Sequence, residues 1–310
     1  MKNLFLLFFL LHNIIAGAQI PQTATGTVQR FENFSSEFVP ARNVDVWLPE
    51  GYDPAKKYAV LYMHDGQMLF DSTTTWNKQE WGVDETLSRL LAEKQIRNCI
   101  VVGIWNGGRL RHSEYFPQKP FESLTPAELE TVRQTLPANR QEQGKVFAPT
   151  SDNYLKFLVT ELKPFIDSRF STHRDRQNTF VAGSSMGGLI SMYAICEYPR
   201  VFGGAACLST HWPGVFTMEN NPIPDAFLRY LEARLPDPKC HKIYFDYGTA
   251  TLDSLYEVTQ VRVDTLMARK GFDPQHWMTQ KFPGADHSER AWRARLAVPV
   301  AFLLGKRKRR

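Results

Sequence analysis

The sequence predicts an α/β protein: a mainly parallel central sheet with helices on both faces. Three observations carry that expectation. Short apolar runs alternate with amphipathic helical stripes along most of the 310 residues. Several runs, residues 58–63 and 100–104 among them, lack the polar alternation of a half-solvated strand, as strands covered on both faces do. Finally, residues 183–187 read Gly-Ser-Ser-Met-Gly, a G-x-S-x-G between an apolar run (180–182) and an amphipathic one (Leu189, Met192, Tyr193, Cys196). Strand, sharp turn and helix is the setting of a nucleophile elbow, with the Ser185 hydroxyl held out at the carboxyl edge of the sheet.

The elements follow in order. Lys2, the apolar run 4–11 and the small residues Ala16, Gly17 and Ala18 have the pattern of a secretory signal peptide cleaved after Ala18. His12 and Asn13 stop the run short of a membrane span. The protein is therefore expected to be exported, periplasmic or secreted. Residues 27–31 and 43–48 alternate polar and apolar, as edge strands do. Strands are expected at 58–63 and 100–104, with a helix between them carrying Val83, Leu87, Leu90 and Leu91. The polar segment 117–150 reads as an insertion over the carboxyl edge, either a lid or a solvated excursion. Asp152 is placed as the cap of a helix whose stripe is Tyr154, Phe157, Leu158, Leu162 and Phe165. After the elbow come strands at 203–208 and 242–245, a helix at 253–270 stopped by Gly271, a strand at 277–282 and a last helix from about Ser288. Residues 19–304 form one domain, and 305–310 a basic tail.

That tail accounts for the formal charge of +5: Lys306, Arg307, Lys308, Arg309 and Arg310 alone supply it. The body is near neutral, with no basic stripe of the kind nucleic acid requires. Of four cysteines, Cys99, Cys196 and Cys207 lie in apolar runs, while Cys240 does not; whether any pair bridges stays open. No His/Cys spacing suits a metal, and no metal site is expected.

A serine needs a base within reach and a carboxylate to hold that base in the right tautomer. His287, on the loop after the last strand, is the expected base. Asp253, on the loop after strand 242–245, is the favoured acid, with Asp246 at the strand end as the alternative; Asp286 is expected to point away from its neighbour His287. The oxyanion needs two preorganised N–H donors. Met186, directly after the nucleophile, supplies one, and Gln67 or Gly66, after strand 58–63, the other. In the same turn His64 is either a pocket residue or a buried, hydrogen-bonded histidine. His211 follows a strand beyond the elbow and is expected in the pocket. Trp105, Tyr115, Phe116 and Trp212 are expected near the mouth, where rings could stack on a sugar or aryl group, with at least half of them expected to be ordinary packing residues.

The residues 62–67 (Tyr-Met-His-Asp-Gly-Gln), the elbow 183–188, Gly248-Thr249 with Asp253, and 284–288 (Gly-Ala-Asp-His-Ser) with Trp292 together resemble the putative esterase family. That family includes esterase D, enterochelin esterases, feruloyl and acetyl-xylan esterases, and mycolyltransferases. The likeness spans about residues 42–304. It implies an α/β-hydrolase fold, a Ser-Asp-His triad on Ser185, Asp253 and His287, and no cofactor. The spacing from Gly-Thr to the acid is longer here than in several relatives. The expected activity is hydrolysis of a small-molecule or carbohydrate ester through an acyl-enzyme. The alternatives are an acyltransferase using the same triad and a non-catalytic protein that keeps the fold.

Overall fold

A computed structural model describes residues 19–135 and 147–306. Residues 1–18, expected to be a signal peptide, the middle of the expected 117–150 insertion (136–146) and residues 307–310 of the expected tail lie outside the described residues.

Eight strands form one sheet among the described residues: β1 (Thr27–Phe34), β2 (Arg42–Leu48), β3 (Ala59–His64), β4 (Cys99–Ile104), β5 (Thr179–Ser184), β6 (Gly204–Leu208), β7 (Lys242–Gly248) and β8 (Trp277–Phe282). Their order across the sheet is β1-β2-β4-β3-β5-β6-β7-β8. β2 pairs antiparallel with both β1 and β4, and all other neighbours are parallel. The helices are α1 (Val83–Ala92), α2 (Arg111–Tyr115), α3 (Gln118–Glu122), α4 (Pro126–Thr135), α5 (Ser151–Lys156), α6 (Lys163–Arg169), α7 (Met186–Glu197), α8 (Ile223–Arg234), α9 (Glu257–Arg269), α10 (Glu289–Arg295) and α11 (Ala297–Leu304). A wider π turn, Phe157–Leu162, joins α5 to α6.

The strand alternation sorts the core into two layers. Val60, Tyr62, Ile100, Val102, Val181, Ala205, Cys207, Ile243 and Phe245 face α5 to α9. Ala59, Leu61, Met63, Val101, Phe180, Ala182, Leu208 and Tyr244 face α1, α10 and α11. Every residue of α7 except Glu197 is buried, which is why its sequence is apolar all round rather than striped. The protein thus has the α/β-hydrolase fold, and the parallel strands deliver their carboxyl ends, with the loops that follow them, to one edge.

Two local expectations change. Asp152 does not cap its helix: Thr150 occupies the cap position, and Asp152 Oδ1 accepts a 2.5 Å bond from the Tyr193 hydroxyl on α7. A tertiary partner outcompetes the local backbone for that carboxylate. The helix expected from residue 253 starts at Glu257, because a tight turn, Thr251–Leu255, precedes it and buries Asp253. In the insertion, Phe121 and Phe147 pack edge-on to each other and to Phe116, which lies against Phe227 of α8, and Leu124 and Val132 join the same core. One side of the described part of that segment is therefore packed on the core, while its other side stays exposed.

Arg42 of β2 forms a bidentate pair with Glu114 of α2, at 2.9 and 2.7 Å, with both side chains about fully buried. The pair pins the loop after β4 to the sheet. Replacing one partner strands the other charge. Arg42→Met is therefore expected to cost about 3–5 kcal/mol in urea unfolding, and adding Glu114→Leu to recover most of it.

Candidate active site

At the end of β5 the chain turns through Ser185 at φ 58°, ψ −122°, a conformation that a side chain makes costly by about 1–3 kcal/mol. Packing enforces it. The Ser185 N–H donates to the Leu208 carbonyl (3.0 Å), and the Ser185 carbonyl accepts from Gly188, Leu189 and His211. A Cβ on Gly183 would sit 2.7 Å from the Gly187 carbonyl oxygen, so strand and helix cross this closely only because residue 183 has none. Met186 is the first residue of α7, and its N–H has no carbonyl of the same helix to bond.

His287 lies on the loop between β8 and α10. Its N–H donates to Thr251 Oγ1 (2.9 Å), and Ser288 caps α10 by accepting from the Ala291 N–H. Asp286 accepts from Ser288 Oγ and pairs with Arg290, so its carboxylate turns away from the imidazole beside it. The His287 ring stands edge-on to Trp292 (5.0 Å between centroids) and Tyr256 (5.8 Å). Its Nδ1 lies 2.6 Å from Asp253 Oδ1. Asp253 is fully buried, and its Oδ2 accepts from the Gly248 N–H and Ser209 Oγ, both at 2.6 Å.

Asp246 sits one step deeper. It pairs with Arg295 (3.0 and 3.2 Å) and accepts from the Ser209 N–H and the Tyr244 hydroxyl. Burial pushes its carboxyl above the ordinary carboxylate range, opposed chiefly by Arg295. Of the two carboxylates weighed in the sequence, Asp253 contacts the imidazole.

The loop after β3 runs through Asp65 at φ 56° into a tight turn, Gly66–Met68. A Cβ on Gly66 would lie 2.4 Å from the Gly103 carbonyl carbon, so the loop lies directly on β4. Arg111 clamps Asp65 at 2.6 and 2.7 Å, Asn106 adds a third bond at 2.7 Å, and Asn106 N–H donates to Gln67 Oε1. The Asp65 carboxylate in turn lies beside Gly187, at the start of α7. Thus the Gly66–Gln67 backbone and the elbow are neighbours.

The expected pocket side chains divide. His211 is buried against the site: its N–H reaches the Ser185 carbonyl and its Nδ1 lies 2.9 Å from the Tyr256 hydroxyl. His64 is 1% exposed and bonds the Tyr154 hydroxyl through Nδ1 (2.8 Å), so it supports the loop from behind. Tyr115 is buried beneath the same loop, its hydroxyl accepting from the Asp65 N–H. Phe116 and Trp212 are packing residues, with the Trp212 indole donating to Gln260. Trp105 turns toward the β1–β2 edge, where its indole donates to Asp45 and its ring lies under Arg30. Burial draws five of these six rings inward, and the Arg30–Asp45 ion pair claims the sixth.

Sequence reasoning missed Tyr256, Ser209 and Arg295. The Tyr256 hydroxyl lies within hydrogen-bonding reach of the Ser185 side chain as well as of His211, and its ring flanks His287, so it adjoins both expected catalytic groups. Trp292 and Arg295 are three apart on α10 and share its inner face, a signal that was legible. Phe216, half exposed, packs on His211 and offers an apolar ring at the mouth.

Residues 35–303 match the family described as "Putative esterase". Among curated proteins, the chain is 25% identical over 229 residues to the uncharacterized protein YjcH of Bacillus subtilis, covering 74% of this chain and 75% of that one. It is 27% identical over 190 residues to an endo-1,4-beta-xylanase/feruloyl esterase of Xylanibacter ruminicola, covering 59% of this chain and 22% of that one. A solved ferulic acid esterase superposes with a TM-score of 0.64 at 18% identity, covering 90% of this chain and 98% of that one, which speaks to the fold.

Burial holds the His64 imidazole down to about 3, from an ordinary 6.5, so it stays neutral in the folded chain. The unfolded chain binds that proton first, so stability present above pH 6.5 is lost as pH falls toward 3. The expected slope is up to about 1.4 kcal/mol per pH unit, and His64→Gln should remove that share of it in urea unfolding from pH 7 to 4.5. With the match spanning nearly all of its described residues and its fold agreeing, the chain belongs to the putative esterase family of serine carboxylic ester hydrolases.

Proposed function

We propose that the chain cleaves small-molecule carboxylic esters, acyl groups on carbohydrate among them, through Ser185, His287 and Asp253, and that it acts after export. The observation that carries the mechanism is the 2.6 Å contact between His287 Nδ1 and the buried Asp253 carboxylate. It fixes which ring nitrogen is engaged and leaves Nε2 for the serine proton.

Ser185 Oγ attacks the ester carbonyl carbon while His287 Nε2 takes its proton. The resulting oxyanion receives the N–H of Met186 and that of Gln67 or Gly66. The positive end of the α7 dipole acts in the same direction. Collapse expels the alcohol, which leaves with the proton from His287. Water then repeats the sequence on the acyl-enzyme, handing its proton to His287, and the freed acid and Ser185 are regenerated.

The carbohydrate part of the reading draws on the xylanase/feruloyl esterase relative and on the Phe216 ring beside His211, a flat apolar surface of the sort sugars and aryl groups stack on. Parent and Ser185→Ala proteins should be compared on p-nitrophenyl acetate and on acetylated and feruloylated sugars. The variant is expected to lose at least about 10⁴-fold in rate on every ester, and the parent to favour the sugar esters. Retained turnover in Ser185→Ala contradicts the nucleophile; a preference for simple alkyl esters contradicts the substrate. Export draws on the leader pattern of residues 1–18. Intact mass of the processed protein is expected to place its first residue at Gln19, and a chain retaining residues 1–18 in the exported fraction contradicts that site.

A further inference from the structure

On the side of Asp253 away from His287 lies a buried charge cluster that the reaction above does not use. Arg295, on α10, sends Nη2 to Ser209 Oγ (2.7 Å) and to Asp246 Oδ1 (3.0 Å), and Nε to Asp246 Oδ2 (3.2 Å). The same Nη2 stands 3.8 Å from Asp253 Oδ2. Ser209 Oγ is the hub: it accepts from Trp292 Nε1 (3.0 Å) and from Arg295, and donates to Asp253 Oδ2. Arg295, Asp246 and Asp253 are each at most 3% exposed. The guanidinium lies over the Phe282 ring, and its Nη1 has no hydrogen-bond partner among the described residues.

A buried ion pair of this kind is a poor way to gain stability, since an apolar pair of equal volume does as well or better. Its placement accounts for it instead. Two carboxylates and one guanidinium leave the cluster one negative charge in excess while the imidazole is neutral, and balanced once the imidazole is protonated. That protonated state forms when Ser185 attacks.

We propose that Arg295 is a positioning residue that acts through Asp253. Braced by Asp246 and Ser209, it keeps the Asp253 carboxylate charged and aimed at His287 Nδ1, and the charge balance of the cluster sets the pH at which His287 takes its proton. The inference rests on the reading of Ser185, His287 and Asp253 given above.

The groups facing His287 define what else acts on it. From the loop after β7 come Asp253 and Tyr256, and from α10 the neutral Trp292 and, behind it, Arg295. From β7 come Asp246 and Tyr244, joined to each other. Across the site lie Ser185 and His211, both reached by Tyr256. On its own segment Asp286 is paired with Arg290, and Glu289 is bonded to Asn77 and lies in the field of Arg111.

The test follows the His287 ring by NMR titration in a Ser185→Ala background. That background lacks the nucleophile, so the ring is read whether or not the esterase reading holds. Asp246→Asn removes one negative charge, leaves the Arg295 cation unbalanced and disfavours the imidazolium; the titration midpoint is expected to fall by about half a unit to one unit. Ser209→Ala removes a neutral donor from Asp253, makes that carboxylate a stronger base and should raise the midpoint. Asp246→Asn with Arg295→Gln deletes both charges and should return the midpoint to within about 0.2 unit of the parent. With Ser185 restored, the acid limb of kcat/KM should move in the same directions. Shifts of one sign in both single variants, or a double variant no closer to the parent than Asp246→Asn, overturn the proposal. Should Asp246→Asn fail to fold, Arg295→Gln decides: removal of the cation beside Asp253 is expected to raise the midpoint, and an unmoved or lowered midpoint overturns the proposal.

Discussion

On the proposed reading, the site is arranged around one buried carboxylate that has to hold the imidazole beside it. Asp253 is fully buried, so each of its lone pairs needs a protein donor. The donors come from separate parts of the chain: the Gly248 N–H at the end of β7, Ser209 Oγ just past β6, and His287 Nδ1 from the loop after β8. Arg295 adds a positive charge from α10. These groups meet because parallel neighbours β6, β7 and β8 end at one edge of the sheet.

The elbow is the second constraint. A serine at φ 58° is unfavourable by itself, and the crossing of β5, α7 and β6 holds it there. The crossing depends on small residues and on the near-complete burial of α7. The loop carrying Gly66 and Gln67 is fixed from three sides: Arg111 and Asn106 on Asp65, Tyr115 beneath it, and His64 tied to Tyr154 behind it. On the proposed reading, this packing gives the N–H donors aimed at a developing oxyanion the rigidity they need to act without reorganising.

Much of the fold was legible because parallel strands buried on both faces write themselves as unbroken apolar runs, as residues 58–63 and 100–104 do. The G-x-S-x-G and the loop after the last strand were legible for a related reason: each needs a fixed residue type at a fixed place between regular elements. Legibility failed where a long-range partner overrode the local pattern. Asp152 has the composition of a cap but serves Tyr193 on another helix. Which of the aromatics near the expected mouth would be packing residues was not legible: Tyr115, Phe116 and Trp212 are all buried, because burial of a large ring outweighs its position in a loop. Arg295 shares the inner face of α10 with Trp292, a spacing visible in the sequence, but its partners Asp246 and Ser209 come from other parts of the chain, and only the tertiary structure shows them.

The account stands most directly on one measurement. A fluorophosphonate ester should be allowed to react with the parent protein and with His287→Ala, and the adduct mapped by peptide mass spectrometry. The account predicts one phosphonyl group per chain, carried on Ser185, with labelling slowed by several orders of magnitude when the imidazole is gone. An adduct on any other residue, or labelling of Ser185 at an undiminished rate without His287, would contradict it.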